Sequence, residues 1–150
     1  EGSSYLPSEL GAAYLYAQLL EADNINEMRL ARYHQYYAAL KELADKEKLT
    51  LPYVPAGCVH NAHMFYIKAR DIKERTALIS YLKDRGILGV FHYVPLHTSP
   101  QGKKCGEFIG EDRYTTDTAD RLLRLPMYKD LKAEEVDYVC EQIYEFYRGR

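Results

Sequence analysis

Residues 63–95 read HMFYIKARDIKERTALISYLKDRGILGVFHYVP, and the predicted fold class depends on the pattern of these residues. Residues 63–69 alternate between two faces as a β-strand does, and residues 88–94 predict a second strand that Pro95 ends. Residues 71–86, between the two strands, carry apolar side chains at helical spacing. A strand, a helix and a strand in this order predict an α/β or α+β domain with a small sheet.

The N-terminal third of the chain predicts a long helical segment. Residues 7–46 follow the helical period, as two consecutive helices or one long bent helix. Asn24 and Glu27 form a capping-box pattern, which places the start of the second helix near Asn24. The helix at 71–86 has a comparable signal, because Asp71 and Glu74 predict its N-terminal cap.

The remaining segments predict short elements and one long loop. Two strands do not form a stable sheet, so we expect a third strand at residues 50–54 or 124–127. Further helices are predicted at residues 116–123 and 133–147. Residues 95–113 contain prolines and glycines and show no period, and a loop of this length is usually functional or mobile.

Composition excludes some classes of function. The 150 residues are the length of one domain. Their 20 basic and 22 acidic side chains give a net charge of −2, which argues against a nucleic-acid partner. No apolar run approaches the roughly 20 residues of a membrane helix, so we expect no membrane partner. Cys58, Cys105 and Cys140 are odd in number and widely spaced, which indicates reduced thiols and a cytoplasmic location.

Two groups of residues suggest a chemical function, but each group also has an ordinary structural interpretation. Cys58, His60 and His63 have the spacing C-x-H-x-x-H, and an autonomous metal- or ligand-binding module is one hypothesis for them. This spacing differs from that of common structural zinc sites, so a polar loop leading into a strand is the more ordinary interpretation. Cys105 with His97 as its base is a second hypothesis, but a lone exposed thiol is the more frequent situation.

The densest group of reactive side chains is FHYVPLH at residues 91–97. It follows a predicted strand and enters the longest loop, which is the usual position of a site in an α/β fold. Imidazole and phenol groups there are suited to proton transfer or to contacts with a polar ligand. His92 and Tyr93 alternate across the predicted sheet, so at least one of them is a packing residue. For His97, which follows Pro95 closely, we favour a functional role.

Four segments in a fixed order carry a resemblance to a known family: GSSYLPSELGAAYL at 2–15, NAHMFYI at 61–67, FHYVPLH at 91–97 and RLLRLPM at 121–127. With them the chain resembles the C-terminal part of the DegT/DnrJ/EryC1/StrS sugar aminotransferases, which are fold-type I enzymes dependent on pyridoxal phosphate (PLP). The resemblance implies a small, mostly antiparallel sheet packed with helices and preceded by a long helical segment.

The resemblance also implies a domain organisation and a reaction. Residues 1–47 would link to an absent large N-terminal domain, and residues 48–150 would form the small α/β domain. The whole enzyme would be a homodimer that aminates a dTDP-linked 4-keto-6-deoxy sugar, with glutamate as the amino donor. The lysine that holds PLP would lie in the large domain, so this chain alone would carry no catalytic residue and be inactive. Without that domain, apolar surface along residues 10–43 would drive self-association.

Site residues follow from the resemblance position by position. Ser4 stands where many relatives carry an asparagine that reaches the cofactor phosphate of the partner subunit, and its hydroxyl can also donate to phosphate. Tyr93 and His97 are expected to line the substrate side of the site. Arg113 and Tyr114 are expected to approach the phosphates or the ring of the sugar nucleotide. No metal is implied, and a structural or regulatory domain remains a third hypothesis.

Overall fold

The computed structural model describes residues 5–149, and its elements alternate between helices and short strands. The helices are α1 (Glu9–Leu20), α2 (Ala22–Asp45), α3 (Ile72–Lys83), α4 (Gly102–Cys105), α5 (Thr115–Arg121) and α6 (Ala133–Arg148). The strands are β1 (Phe65–Lys68), β2 (Val90–Phe91) and β3 (Leu122–Leu125), and a 3-10 turn lies at Leu96–Thr98. This order confirms the predicted strand, helix and strand and the two consecutive N-terminal helices. Among residues 5–149, no helix combines the length and apolar character that crossing a membrane requires.

The sheet has three antiparallel strands in the order β1-β3-β2. Phe65 lies opposite Leu125, and Ile67 opposite Leu123. The central strand β3 overlaps the candidate third strand at 124–127, but it starts at Leu122 because α5 ends earlier than predicted. The other candidate, at 50–54, contributes only a bridge from Thr50 to Lys68.

The second strand is shorter than predicted. The sequence predicts a strand over 88–94, whereas β2 comprises Val90–Phe91. Phe91 pairs with Leu123 on β3. In the same register, the predicted strand residues Tyr93 and Val94 would lie opposite Arg121 and Asp120, which belong to α5. The sheet therefore ends there, and the residues after Phe91 leave it as a loop.

One hydrophobic core lies between the sheet and the helices α2, α3 and α6. Tyr36 of α2 is fully buried and stacks on Phe65, with 4.9 Å between the ring centroids. Its hydroxyl donates a hydrogen bond to the Pro126 carbonyl at 3.2 Å, which satisfies the polar tip of the ring. The Tyr144 hydroxyl of α6 donates to the Ala39 carbonyl at 3.0 Å and so ties α6 to α2.

The distribution of buried residues corrects one expectation about the N-terminal helices. Residues 10–43 do not form one exposed apolar surface, because α2 contributes Tyr33, Tyr36, Leu40 and Leu43 to the core. No residue of α1 is buried. Its exposed apolar side chains are Leu10, Tyr14, Leu15, Tyr16, Leu19 and Leu20. The uncovered apolar surface at this end of the chain is therefore concentrated on α1.

The helix caps agree with the sequence at one predicted start and differ at another. The Glu74 amide donates to Asp71 Oδ1 at 2.8 Å, and the Glu74 carboxylate accepts from the Arg70 amide, which confirms the cap of α3. The capping box expected at Asn24 is wrong. Only Glu21 separates α1 from α2, so α2 begins at Ala22 and Asn24 lies inside it.

Candidate functional site

The loop between β2 and α5 carries the reactive cluster and is held by two short turns. The turn Leu96–Thr98 packs against α4, and the Ser99 hydroxyl accepts a hydrogen bond from the Gly102 amide at 2.9 Å. A Cβ atom at Gly102 would lie 1.7 Å from the Leu96 carbonyl oxygen. Only glycine fits this approach, so Gly102 fixes the path of the loop that follows Pro95.

His97 is anchored by a carboxylate from the far end of the same loop. Its Nε2 lies 2.8 Å from Asp112 Oδ2, and both side chains are mostly buried. The Thr116 hydroxyl donates to Asp112 Oδ2, and Asp112 Oδ1 accepts from the Thr115 amide at 3.0 Å. The Phe108 ring covers the imidazole, with 4.5 Å between the ring centroids.

This network determines which His97 nitrogen carries the proton. The hydrogen bond from the Thr116 hydroxyl, followed by that from His97, lowers the pKa of the Asp112 carboxyl to about 2. The carboxylate is therefore ionised at neutral pH and can only accept, so His97 Nε2 must donate. In the neutral ring, Nδ1 is left as the acceptor. Asp112 thus holds His97 in one tautomer and one orientation.

Tyr93 and Tyr114 come together on the surface beside this network. They line one depression of about 410 Å³, together with His92 and Thr118. Both phenols are largely exposed, at 77% for Tyr93 and 78% for Tyr114. His92 packs edge-on against Tyr93, with 4.6 Å between the ring centroids, and its Nδ1 is buried without a hydrogen-bond partner in the described part of the chain. This depression presents two phenols and an imidazole to a ligand.

The other expected site residues lie apart from this depression. The Arg113 side chain is exposed and forms an ion pair with Glu111, with 2.7 Å between nitrogen and oxygen. His97 does not line the Tyr93–Tyr114 depression. It contacts Thr116, which lines a neighbouring cavity that also includes Tyr93. Ser4 lies outside the described residues.

The structure does not bring Cys58, His60 and His63 together as a set of metal ligands. His60 packs on the Tyr33 ring at 4.4 Å, and its Nδ1 accepts from the Ala62 amide at 3.3 Å. His63 Nδ1 lies 3.2 Å from Asn61 Oδ1, and Cys58 is exposed. Within residues 5–149, no three His, Cys, Asp or Glu side chains are grouped so that they could hold a metal ion.

The thiol hypothesis is not supported either. The side-chain amide of Gln101 donates from Nε2 to Cys105 Sγ at 2.9 Å, and Cys105 is exposed. His97 and Cys105 line one hollow, but no hydrogen bond joins them among residues 5–149, and His97 Nε2 is engaged by Asp112. Cys105 and His97 therefore do not form the arrangement that a thiolate nucleophile requires.

Sequence reasoning missed Asp112 and Thr116, the two residues that orient His97. One signal for Asp112 was its residue type, because an Asp side chain just before a helix often accepts hydrogen bonds from the first backbone amides, as Asp112 does from Thr115 and Thr116. No local signal joins Asp112 to His97, since the two belong to opposite ends of a loop. Their pairing depends on how Gly102 folds that loop.

The described residues do not form a complete PLP site by themselves. PLP enzymes bind the cofactor through a lysine amine, which is activated by burial or by a neighbouring charge. All lysines of the chain lie within residues 5–149, and none of them is buried. The exposed Lys41 and Lys46 form ion pairs with Asp45 and Glu42 on the surface of α2.

Comparison with known proteins gives a consistent assignment. The family model described as the DegT/DnrJ/EryC1/StrS aminotransferase family matches residues 2–144. A pleiotropic regulatory protein of Geobacillus stearothermophilus is 33% identical over 141 residues, which are 93% of this chain and 37% of that protein. The chain thus spans well under half the length of the curated relative.

Solved structures share the fold. The aminotransferase TlmJ from Streptoalloteichus hindustanus matches with a TM-score of 0.85 at 22% identity, over 99% of this chain and 38% of that one. NtdA from Bacillus subtilis, solved with the bound cofactor PMP, matches with a TM-score of 0.67 at 26% identity, over 82% of this chain and 28% of that one. The predicted fold class is confirmed: this is the C-terminal part of a PLP-dependent aminotransferase fold, with a small antiparallel sheet packed against helices. Since the family model accounts for nearly the whole chain, the chain belongs to the DegT/DnrJ/EryC1/StrS aminotransferase family.

Proposed function

We propose that this chain forms the small-domain wall of the active site in a PLP-dependent sugar aminotransferase. The observation that carries the proposal is the family match over residues 2–144, together with the paired phenols of Tyr93 and Tyr114 beside the anchored His97. We propose that residues 1–47 connect to a large N-terminal domain and that residues 48–150 form the small domain. The enzyme would act as a homodimer in the cytoplasm.

The proposed substrate is a dTDP-linked 4-keto-6-deoxy sugar, and the proposed amino donor is glutamate. Within the family, the stretches SSYLPSEL at 3–10 and GEDRYTT at 110–116 most resemble dTDP-4-amino-4,6-dideoxygalactose transaminase. The proposed pathway is therefore the biosynthesis of amino sugars for enterobacterial common antigen or lipopolysaccharide. The nucleotide and the pathway rest on this resemblance alone.

The chain's own residues would bind and orient the substrate. When bound, PLP supplies the electron sink for amino-group transfer. Because no lysine of this chain is buried, the lysine for PLP would come from the large domain. His97, with Nε2 held by Asp112, would offer Nδ1 to a sugar hydroxyl. Tyr93 and Tyr114 would pack against the ring of the sugar or base and donate their hydroxyls.

Two further contacts are proposed from the resemblance. The Ser4 hydroxyl would donate to the cofactor phosphate of the partner subunit. Arg113 would approach the substrate phosphates, for which it would have to leave Glu111. Replacing Ser4 by Ala in the full-length protein should then weaken PLP binding, measured by titration of the cofactor absorbance.

The function is tested by supplying the full-length protein with PLP, glutamate and the dTDP-linked keto sugar. Mass spectrometry should detect the amino sugar. Tyr93→Ala should raise the KM for the keto sugar. As a control, the 150-residue chain alone should neither turn over nor develop the absorbance of lysine-bound PLP. Turnover by the chain alone would contradict the proposal, as would a full-length protein that leaves every nucleotide-linked keto sugar unchanged.

A regulatory role is a second candidate, because the Geobacillus stearothermophilus relative is named as a pleiotropic regulatory protein. In that case the reactive cluster would not serve turnover. His97→Ala in the full-length protein separates the two candidates. A large loss of turnover supports a role of this domain in the active site, and unchanged turnover supports a structural or regulatory role of the domain.

A further inference from the structure

A second cavity adjoins the Tyr93–Tyr114 depression on the side of α3. Its volume is about 410 Å³. It lies between α3, the end of β2 and α5, and its polar lining residues are Arg75, Tyr93, Thr98, Thr116 and Asp120. Tyr93 belongs to both hollows, and Thr116 belongs to the network that orients His97. A ligand held by Tyr93 could therefore extend into this cavity.

Arg75 brings a positive charge into the cavity, and the Asp120 carboxylate that lines the same cavity does not form an ion pair with it. Arg75 is half-buried, and it belongs to none of the ion pairs found among residues 5–149. The guanidinium donates to the Ala119 carbonyl at 3.3 Å and lies 5.4 Å from the centre of the Phe91 ring. Its Nε is buried and has no hydrogen-bond partner among residues 5–149.

Such a group is poised for an anion. A partly buried cation that is not ion-paired with a carboxylate has lost hydration that an anionic ligand can replace. The planar guanidinium matches the paired oxygens of a phosphate or a carboxylate. Arg113 is in the opposite situation, because it is exposed and already paired with Glu111. Of these two arginines, Arg75 is the one with an uncompensated charge.

We propose that Arg75 binds an anionic oxygen group of the substrate, namely the diphosphate of the sugar nucleotide or a carboxylate of the amino donor. The substrates named here rest on the proposed function. Asp120 distinguishes the two sources, because it lines the same cavity and forms no ion pair among the described residues. It would repel a diphosphate, whereas it would attract the ammonium group of an amino acid whose carboxylate lies on Arg75.

The test measures both substrates in the full-length protein. Arg75→Gln should raise the KM for either the nucleotide sugar or glutamate by about ten-fold or more, with the absorbance of bound PLP unchanged. Asp120→Asn should lower the KM if the affected substrate is the nucleotide sugar and raise it if that substrate is glutamate. Arg148→Gln is the matched control, because Arg148 is an exposed arginine that pairs with Glu145 on α6, and it should change both values by less than about two-fold.

A second variant guards against loss of the fold, since Arg75 also bonds to the Ala119 carbonyl. Arg75→Lys keeps the charge but not the paired donors, so it should raise the same KM by about three- to ten-fold. Thermal unfolding establishes that each variant is folded. Unchanged KM values for both substrates in folded Arg75→Gln, or in Arg75→Lys where Arg75→Gln does not fold, overturn the proposal and leave the aminotransferase function intact.

Direct binding separates this proposal from the function on which it rests. If the wild-type protein does not transaminate, calorimetry with dTDP and with glutamate still compares it with Arg75→Gln. Loss of binding of one of them in the variant supports Arg75 as the anion site. Equal binding by both proteins, or no binding of either compound by the wild type, overturns it.

Discussion

At the scale of single residues, the pairing of Asp112 with His97 gives the loop a dependence on pH. The pKa of Asp112, about 2, lies below its ordinary value of 3.8, mainly because the Thr116 hydroxyl bonds to the ionised carboxylate. A carboxyl with a lowered pKa stabilises the folded state above its unfolded pKa and loses that contribution as the pH falls through its folded pKa. The relevant window therefore lies between about pH 4 and pH 2.

Asp112→Asn should remove this contribution. We expect the variant to be less stable than the wild type at pH 7, with a difference that shrinks as the pH falls from about 4 to about 2. Urea unfolding at a series of pH values measures it. Asp117→Asn is the control, since Asp117 lies on α5 but makes an exposed ion pair with Arg121. A difference for Asp112→Asn that stays constant down to pH 2 would contradict this account.

Gly102 is the residue on which the loop geometry depends. Gly102→Ala should destabilise the loop by about 1–3 kcal/mol, because the added methyl group overlaps the Leu96 carbonyl. Gly106→Ala is a matched control four residues later, since a Cβ there meets no atom within 4 Å. Amide hydrogen exchange over residues 96–106 should accelerate in the first variant and not in the second. Equal protection in both would show that the loop absorbs the methyl group.

At the scale of secondary-structure elements, two helices end in the same way with different residues. After α2, the Lys48 amide donates to the Leu43 carbonyl, and the residue between helix and loop, Glu47, has a φ of 55°. After α3, the Ile87 amide donates to the Leu82 carbonyl, and Gly86 has a φ of 75°. A side chain in this left-handed conformation is strained, and glycine is not.

The two helix ends therefore predict substitutions of opposite sign. Glu47→Gly should raise the free energy of unfolding by about 0.5–1 kcal/mol, and Gly86→Ala should lower it by about 1 kcal/mol. Chemical denaturation of both variants measures the changes. If Glu47→Gly were destabilising, the greater freedom of glycine in the unfolded chain would outweigh the relief of strain.

The sequence predicts the bounds of an element well where local signals set them. It predicts them less well where packing against other elements sets them. The cap of α3 at Asp71 and the burial of Phe65 and Ile67 follow from local pattern. The length of β2 does not follow from local pattern. It is limited because the neighbouring strand β3 begins only where α5 ends. For the candidate site, the sequence points to the 91–97 cluster, but the unpaired charge of Arg75 depends on packing between α3 and α5.

At the scale of the whole molecule, α1 is the part that the rest of the chain leaves uncovered. Its six large exposed apolar side chains should drive self-association of the isolated 150-residue chain. Sedimentation velocity should show dimers or larger species, and the double variant Tyr14→Glu/Leu19→Glu should reduce them. Val59→Glu is the control, since Val59 is 98% exposed but lies outside α1. A wild-type chain that sediments as a monomer at all concentrations would contradict this expectation.

The strand order β1-β3-β2 has a consequence for how the chain is made. β1 and β2 emerge from the ribosome first, yet neither pairs with the other, and both bond to the strand that is synthesised last. A nascent polypeptide that has reached only Asp120 contains both outer strands and no sheet. Assembly must wait for residues 122–125, so the β-structure closes late through contacts that are distant along the chain. Until then, the edges of β1 and β2 are open to pairing with other chains, which is where a chaperone would be needed.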